Sequence, residues 1–217
     1  RTIVIVTKSG GSDFDRVSAG VHPAILIWQV DVGSQENKKY GKWQRKVMFT
    51  WEIPGERIET DKGNQPRVIS KTYTATLGEK GFLYADLVSW RGRDFTPEEL
   101  DGFDLAVALG KACQVNVVHK KGSDGKVYAN VATVLPYKGQ MAKPENPVIG
   151  YDIDTHGLSV PEALPEWIQK RIKESPEYKA LENGGTFDGS TETPANDDTW
   201  DQFAEEHPAS DDDLPDF

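Results

Sequence analysis

The chain has 217 residues, of which 37% are hydrophobic and 28% charged, with a formal net charge of −10. That length allows one domain of ordinary size plus extensions. A single cysteine, Cys113, excludes an intramolecular disulfide and any cysteine-built metal site, and no apolar run reaches the roughly 20 residues that a helical membrane crossing needs.

The opening Arg1-Thr2-Ile3-Val4-Ile5-Val6 is too short and too β-branched for a signal peptide. Residues 2–6 suit a short edge strand, and Gly10-Gly11-Ser12-Asp13 a flexible link. The first strong strand signal runs from Val21 to Val32, rich in Ile, Val and Trp. A polar loop is expected over Gly33 to Gly41. From Trp43 to Ile53, Val47, Phe49, Trp51 and Ile53 alternate with Lys46, Met48, Thr50 and Glu52, which predicts a strand with one face to a core. Pro54-Gly55 is expected to end it. Arg67 to Thr76 reads as a third strand. Glu79 to Trp90 changes period, and Phe82, Leu83, Ala85, Asp86 and Val88 suit a short amphipathic helix. Ala112 to His119 and Val127 to Leu135 form strands four and five around the turn Gly122-Ser123-Asp124-Gly125.

Three strands, a helix and a two-strand hairpin predict a mainly β protein with an OB-like five-stranded Greek-key barrel. An SH3-like barrel also has five strands, but the helix position favours the OB-fold. Residues 1–139 would form this domain, and residues 140–182 an irregular, proline-punctuated connection. A helix over Ala163 to Ser175, stopped by Pro176, would pack back on the barrel through Leu164, Trp167, Ile168 and Ile172.

Residues 183–217 differ in composition. They hold eleven acids and no Lys or Arg, which leaves 24 acids and 25 bases in residues 1–182. The body is thus near neutral and the tail strongly acidic, so the net charge does not exclude a nucleic-acid partner. Gly, Ser, Thr, Asn, Asp and Pro dominate the tail, which is expected to be disordered. Two clusters in it join rings to acids: Asp197-Asp198-Thr199-Trp200-Asp201-Gln202-Phe203 and Asp211-Asp212-Asp213-Leu214-Pro215-Asp216-Phe217. Trp200, Phe203 and Phe217 have no structural reason to sit in such a segment. A ring and an α-carboxylate together suit an apolar pocket rimmed by Arg or Lys on a partner.

The final segment resembles the C-terminal tip of bacterial single-stranded DNA-binding proteins, typically Asp-Asp-Asp-Ile-Pro-Phe. Asp211, Asp212, Asp213, Leu214, Pro215 and Phe217 match in kind, with Asp216 standing between the last two. The body resembles a family of phage-encoded replication proteins that bind single-stranded DNA. The resemblance lies in Ala19-Gly20-Val21-His22-Pro23-Ala24, in Leu87-Val88-Ser89-Trp90-Arg91-Gly92-Arg93-Asp94-Phe95-Thr96, in Leu109-Gly110-Lys111-Ala112-Cys113, in Val117-Val118-His119-Lys120 and in Val134-Leu135-Pro136-Tyr137-Lys138-Gly139. The acidic, Phe-ended architecture also resembles the phage T7 type of such proteins. This resemblance implies an OB-fold, a tail that competes with DNA, and docking of that tail onto replication enzymes such as a polymerase, primase or helicase. It also implies the cytoplasm of a bacterial host, a setting that the cysteine usage suits.

Binding single strands without sequence preference requires cations for phosphates and exposed rings for bases. The sequence interleaves the two: Trp43 with Arg45 and Lys46, Lys71 with Tyr73 on one strand face, and Trp90 with Arg91 and Arg93. Lys120, Lys121 and Lys126 flank the hairpin turn with Tyr128 beyond it, and Lys138 follows Tyr137. Trp28 and Trp51, among apolar neighbours, are expected in the core. Trp90 is expected to pack against the helix end, and Asp94 is a candidate ion-pair partner for an arginine.

No phosphate loop or nucleophile elbow is present, and His22, His119, His156 and His207 lack metal-ligand spacing. A non-enzymatic protein without cofactor or metal is expected, and a homodimer is compatible with the sequence. The rival readings are a recombination or annealing mediator, a pure adaptor acting through its tail, and a metal-dependent nuclease using Asp152 and Asp154.

Overall fold

The computed structural model describes residues 16–37, 41–60 and 63–187. Residues 2–6, the Gly10–Asp13 link and the tail clusters at Trp200, Phe203 and Asp211 to Phe217 lie outside them. The protein is mainly β. Its strands are β1 (Gly20–Asn37), β2 (Lys42–Thr60), β3 (Gly63–Thr74), β4 (Ala112–Lys121), β5 (Val127–Pro136) and β6 (Ile149–Tyr151). Its α-helices are α1 (Phe82–Arg91), α2 (Pro97–Leu100), α3 (Ile153–His156), α4 (Glu166–Lys173) and α5 (Pro176–Glu182), with a 3-10 turn at Leu105–Ala108.

The strands form one sheet in the order β3-β2-β1-β4-β5, all antiparallel, with β6 added parallel to β1. The closed five-stranded barrel expected from the sequence is not seen: among the described residues the sheet has six strands and is open. Some Cα atoms of β3 and β5 come within 8 Å, yet the two strands do not pair. The reason is a side chain. Asp86 of α1, itself buried, accepts from Lys71 Nζ at 2.7 Å and from the Tyr73 hydroxyl at 2.7 Å, both on β3. Its other oxygen accepts from the Val134 amide of β5 at 3.3 Å. One carboxylate thus satisfies groups on both strands, including an amide that a paired strand would otherwise take.

The strands run longer than their sequence signals. β1 continues through the expected loop to Asn37, passing Gly33 at a register shift where φ is +69°. β2 likewise passes Pro54-Gly55. Pairing with β3 is interrupted between Ile53 and Arg57 and resumes from Arg57↔Pro66 to Thr60↔Gly63. The proline sits in that irregularity, where its missing N–H costs no ladder bond. α4 is shorter than the expected helix, starting after Pro165 and ending at its Glu174 cap, and Pro176 begins α5, capped by Ser175 Oγ, which accepts from the Tyr178 amide.

Both faces of the sheet are covered. Leu26, Val47, Phe49, Trp51, Ile53, Ile69 and Tyr73 form one core with Leu83 and Leu87 of α1. Ile25, Ile27, Trp28, Val30, Val32 and Met48 form a second with Tyr151, Ile153, Leu164, Ile168 and Ile172. Trp28 and Trp51 are both buried. The face of β2 that alternation assigned to solvent is therefore buried at Met48, Thr50 and Glu52. Glu52 accepts from the amides of Glu145 and Asn146 at 3.0 and 2.8 Å and from the Asn146 side chain at 2.9 Å. These bonds hold the connecting segment across the sheet so that β6 can reach β1.

Asp86→Ala should destabilise the protein by about 3–5 kcal/mol in urea unfolding, because it strands the Lys71 charge in the interior. The pair Lys71→Met with Asp86→Leu should recover part of that loss, and a double variant no more stable than Asp86→Ala would show that the ion pair is not the source. A second expectation concerns Gly33, whose added Cβ would lie 2.4 Å from Ser175 Cβ and Oγ in a left-handed backbone. Gly33→Ala should cost about 1–3 kcal/mol through overpacking, with backbone strain adding to it, and should raise hydrogen exchange in α5.

Candidate nucleic-acid interface

β1 and β2 form an antiparallel arm in which Glu36 faces Trp43, Ser34 faces Arg45 and Gly33 faces Lys46. Trp43 is 39% exposed, unlike the buried Trp28 and Trp51. The Arg45 guanidinium donates to Asp31 through Nη2 at 2.5 Å and Nε at 3.2 Å, and its Nη1 lies 2.8 Å from Asp154 Oδ2. Burial works against its charge, but the bonds to Asp31 and Asp154 outweigh that effect and raise its pKa. Lys46 Nζ donates to Gln44 Oε1 at 2.9 Å and to Thr74 Oγ1 at 2.8 Å, so it reaches from β2 to β3. A ring, a guanidinium and an ammonium thus stand within four residues of one strand.

The second expected group surrounds the end of α1. Trp90 is half-buried against the first core and donates through Nε1 to the Ala112 carbonyl at 3.0 Å. Arg91 lies over the rings of Phe95 and Phe103, at 4.1 and 5.0 Å from their centroids, and its Nη2 is 2.6 Å from Glu99 Oε1. Arg93 is exposed and reaches the same carboxylate at 2.7 and 3.0 Å. Glu99, rather than Asp94, is the arginines' acidic partner. Asp94 instead accepts from the Tyr84 hydroxyl at 3.5 Å, and its carbonyl accepts from Arg93. Glu99 also completes a capping box with Thr96 at the start of α2. Hydrogen bonds from Arg93, then from the Thr96 amide, bring its carboxyl down to about 2.

Three expected residues are not available as a surface for DNA. Tyr73 and Lys71 do share a face, but it is the core face. Tyr73 is buried beside Phe49, and the Lys71 ammonium is consumed by Asp86. Tyr128 is buried under the hairpin turn, its hydroxyl 2.5 Å from Asp124. Lys120 is half-buried, and Lys138 is exposed.

The acids that hold the arginines had signals of their own. Asp31 is a lone acid in an apolar strand, a placement that demands a partner. Thr96-Pro97-Glu98-Glu99 reads as a capping box. The Asp152/Asp154 pair of the nuclease reading is otherwise engaged: Asp152 caps α3 through the Thr155 amide, and Asp154 holds Arg45. Among the described residues no group of three or more His, Cys, Asp or Glu could hold a metal ion, and no helix is long and apolar enough to cross a membrane. Neither a protein-family model nor a curated protein sequence matches the chain.

The depressed Glu99 pKa makes the clamp's stabilisation fully present above the ordinary glutamate range and lost as pH falls through about 2. Side-chain carbonyl NMR should find Glu99 still ionised at a pH where exposed glutamates are half protonated. A midpoint in the usual range would mean that the Arg91–Glu99–Arg93 clamp does not form in solution.

Proposed function

We propose that this protein binds single-stranded DNA without sequence preference, coating and protecting it during phage DNA replication or recombination in the cytoplasm of a bacterial host, with no catalytic turnover. The observation that carries this reading is the exposed Trp43 ring beside Arg45 and Lys46 on β2. A base can stack on the ring while neighbouring cations meet the phosphates on either side of it. The strand order supports an OB-like reading: counting the β3/β5 seam that α1 fills as the closure gives a five-stranded Greek-key barrel with its helix between strands three and four. In that fold the face of strands two and three and the first hairpin loop bind oligonucleotides, and Trp43 opens β2 beside that loop. Arg93, Lys120 and Lys138 are further phosphate contacts in this proposal. The acidic segment from residue 183 onward competes with DNA for the same cations and, once displaced, recruits replication proteins through Trp200, Phe203 and the 211–217 cluster.

Fluorescence titration with oligo-dT over a range of salt tests this reading. Trp43→Ala should weaken binding by about 1–3 kcal/mol with little change in salt slope, whereas Arg45→Ala should weaken it and flatten the slope. Removing residues 184–217 should tighten binding most at low salt, where screening is least. Equal affinity for duplex and single strands would rule out base stacking and overturn the proposal.

A further inference from the structure

We infer that Asp154 occupies the place of a DNA phosphate on Arg45, and that exchanging one for the other couples DNA binding to the C-terminal segment that leads into the acidic tail. The inference rests on the single-stranded DNA reading above and adds a regulatory contact to it.

The two carboxylates on Arg45 are unlike. The Asp31 side chain is 9% exposed. Besides Arg45 it accepts from the Gly33 amide at 2.9 Å and the Ile153 amide at 3.3 Å. It is fixed in the fold and orients the guanidinium. The Asp154 side chain is 66% exposed, sits on the four-residue α3 and meets Nη1 of Arg45 at 2.8 Å. An exposed pair of this kind is weak, while a phosphate offers the same guanidinium a stronger acceptor. With both acids in place Arg45 is locally overcompensated, one positive charge against two negative ones, and repels a phosphodiester. Arg45 contributes to DNA binding only when Asp154 yields.

The position of Asp154 gives that exchange a second effect. It stands beside Ile153, whose buried side chain belongs to the second core and whose amide bonds to Asp31. α5 meets the same arm of the sheet: Glu177 accepts from the Ser34 amide at 2.8 Å and from its hydroxyl, and Ser34 is the residue directly opposite Arg45. Residues 149–182 are therefore held to the proposed DNA-binding arm through α3, through Arg171 of α4, whose Nε donates to Gln35 Oε1 at 3.3 Å, and through α5, from which the acidic tail continues. Loosening the first alters the footing of the chain that carries the tail. Thermodynamic linkage makes the effect reciprocal, so releasing α3 must favour DNA.

A double-mutant cycle tests this, with oligo-dT titrated against the full chain, Asp154→Asn, Arg45→Gln and the pair, and with Glu162→Gln as a control for removing an exposed acid elsewhere in the same segment. Asp154→Asn should tighten binding about two- to fivefold at low salt, with the gain shrinking as salt rises and vanishing in the Arg45→Gln background. Glu162→Gln should change little. Hydrogen exchange at the His156 and Gly157 amides of α3, measured on the full chain, should accelerate when oligo-dT is saturating. Unchanged or weaker binding by Asp154→Asn, a gain that persists without Arg45, or α3 exchange that DNA leaves unchanged or slows would each overturn the inference while the DNA-binding reading stands. Failure of the full chain to bind oligo-dT would overturn both.

Discussion

A single carboxylate sets the form of the sheet. Asp86 brings the charge of Lys71, the hydroxyl of Tyr73 and the amide of Val134 to one point inside the protein. Each of these groups would be costly to bury alone. Their common partner sits on α1, so the helix is bound to both β3 and β5, and Leu83 and Leu87 are carried into the first core with it. Without that point the two strands would have to pair, or water would have to enter between them. The rest of the first core assumes it: Phe49 packs edge-on against both Tyr73 and Trp51, and the position of Tyr73 is fixed by its bond to Asp86.

The same device recurs on the other face. Asp31, Glu52 and Glu177 are buried acids, and each accepts from main-chain amides of a distant segment. Bonds of this kind impose direction, which apolar contact does not. The second core holds residues 149–182 against the sheet, and the three acids determine where along β1 and β2 residues 145–182 settle. The arm carrying Trp43, Arg45 and Lys46 is built on this frame, so the proposed binding surface and the C-terminal helices share supports.

The local pattern of the sequence was enough to place β1 to β5 and to send Val47, Phe49, Trp51 and Ile53 inward, because period-two alternation is a short-range property, but it left β6 inside an irregular connection. It could not say which face of β3 points inward. Lys71 and Tyr73 look like a surface pair until Asp86, fifteen residues along from Lys71, is known to face them. Met48, Thr50 and Glu52 read as a solvated face for a similar reason: what covers them comes from residues 145–172. Gly33 and Pro54-Gly55 looked like strand ends, since local turn chemistry is indifferent to whether a neighbouring strand carries the ladder past them. On β2, the sequence shows Trp43, Arg45 and Lys46 as a mixed ring-and-cation stretch, but the acids engaging Arg45 are set by tertiary contact.

The edge of β1 opposite β2 is divided among three partners. Gly20 to Ile25 pair with β4, Leu26 exchanges bonds with Gly110 and Lys111, and Trp28 to Val30 pair with β6. These partners leave the ribosome in that chain order reversed for the first two and last of all for β6, more than a hundred residues after β1 itself. Without residues 149–182 that edge would stand open beside Ile27, Trp28, Val30 and Met48, the combination of open ladder and apolar face that invites pairing with a neighbouring chain. Residues 149–182 thus cover a ladder edge and an apolar face of β1 at once.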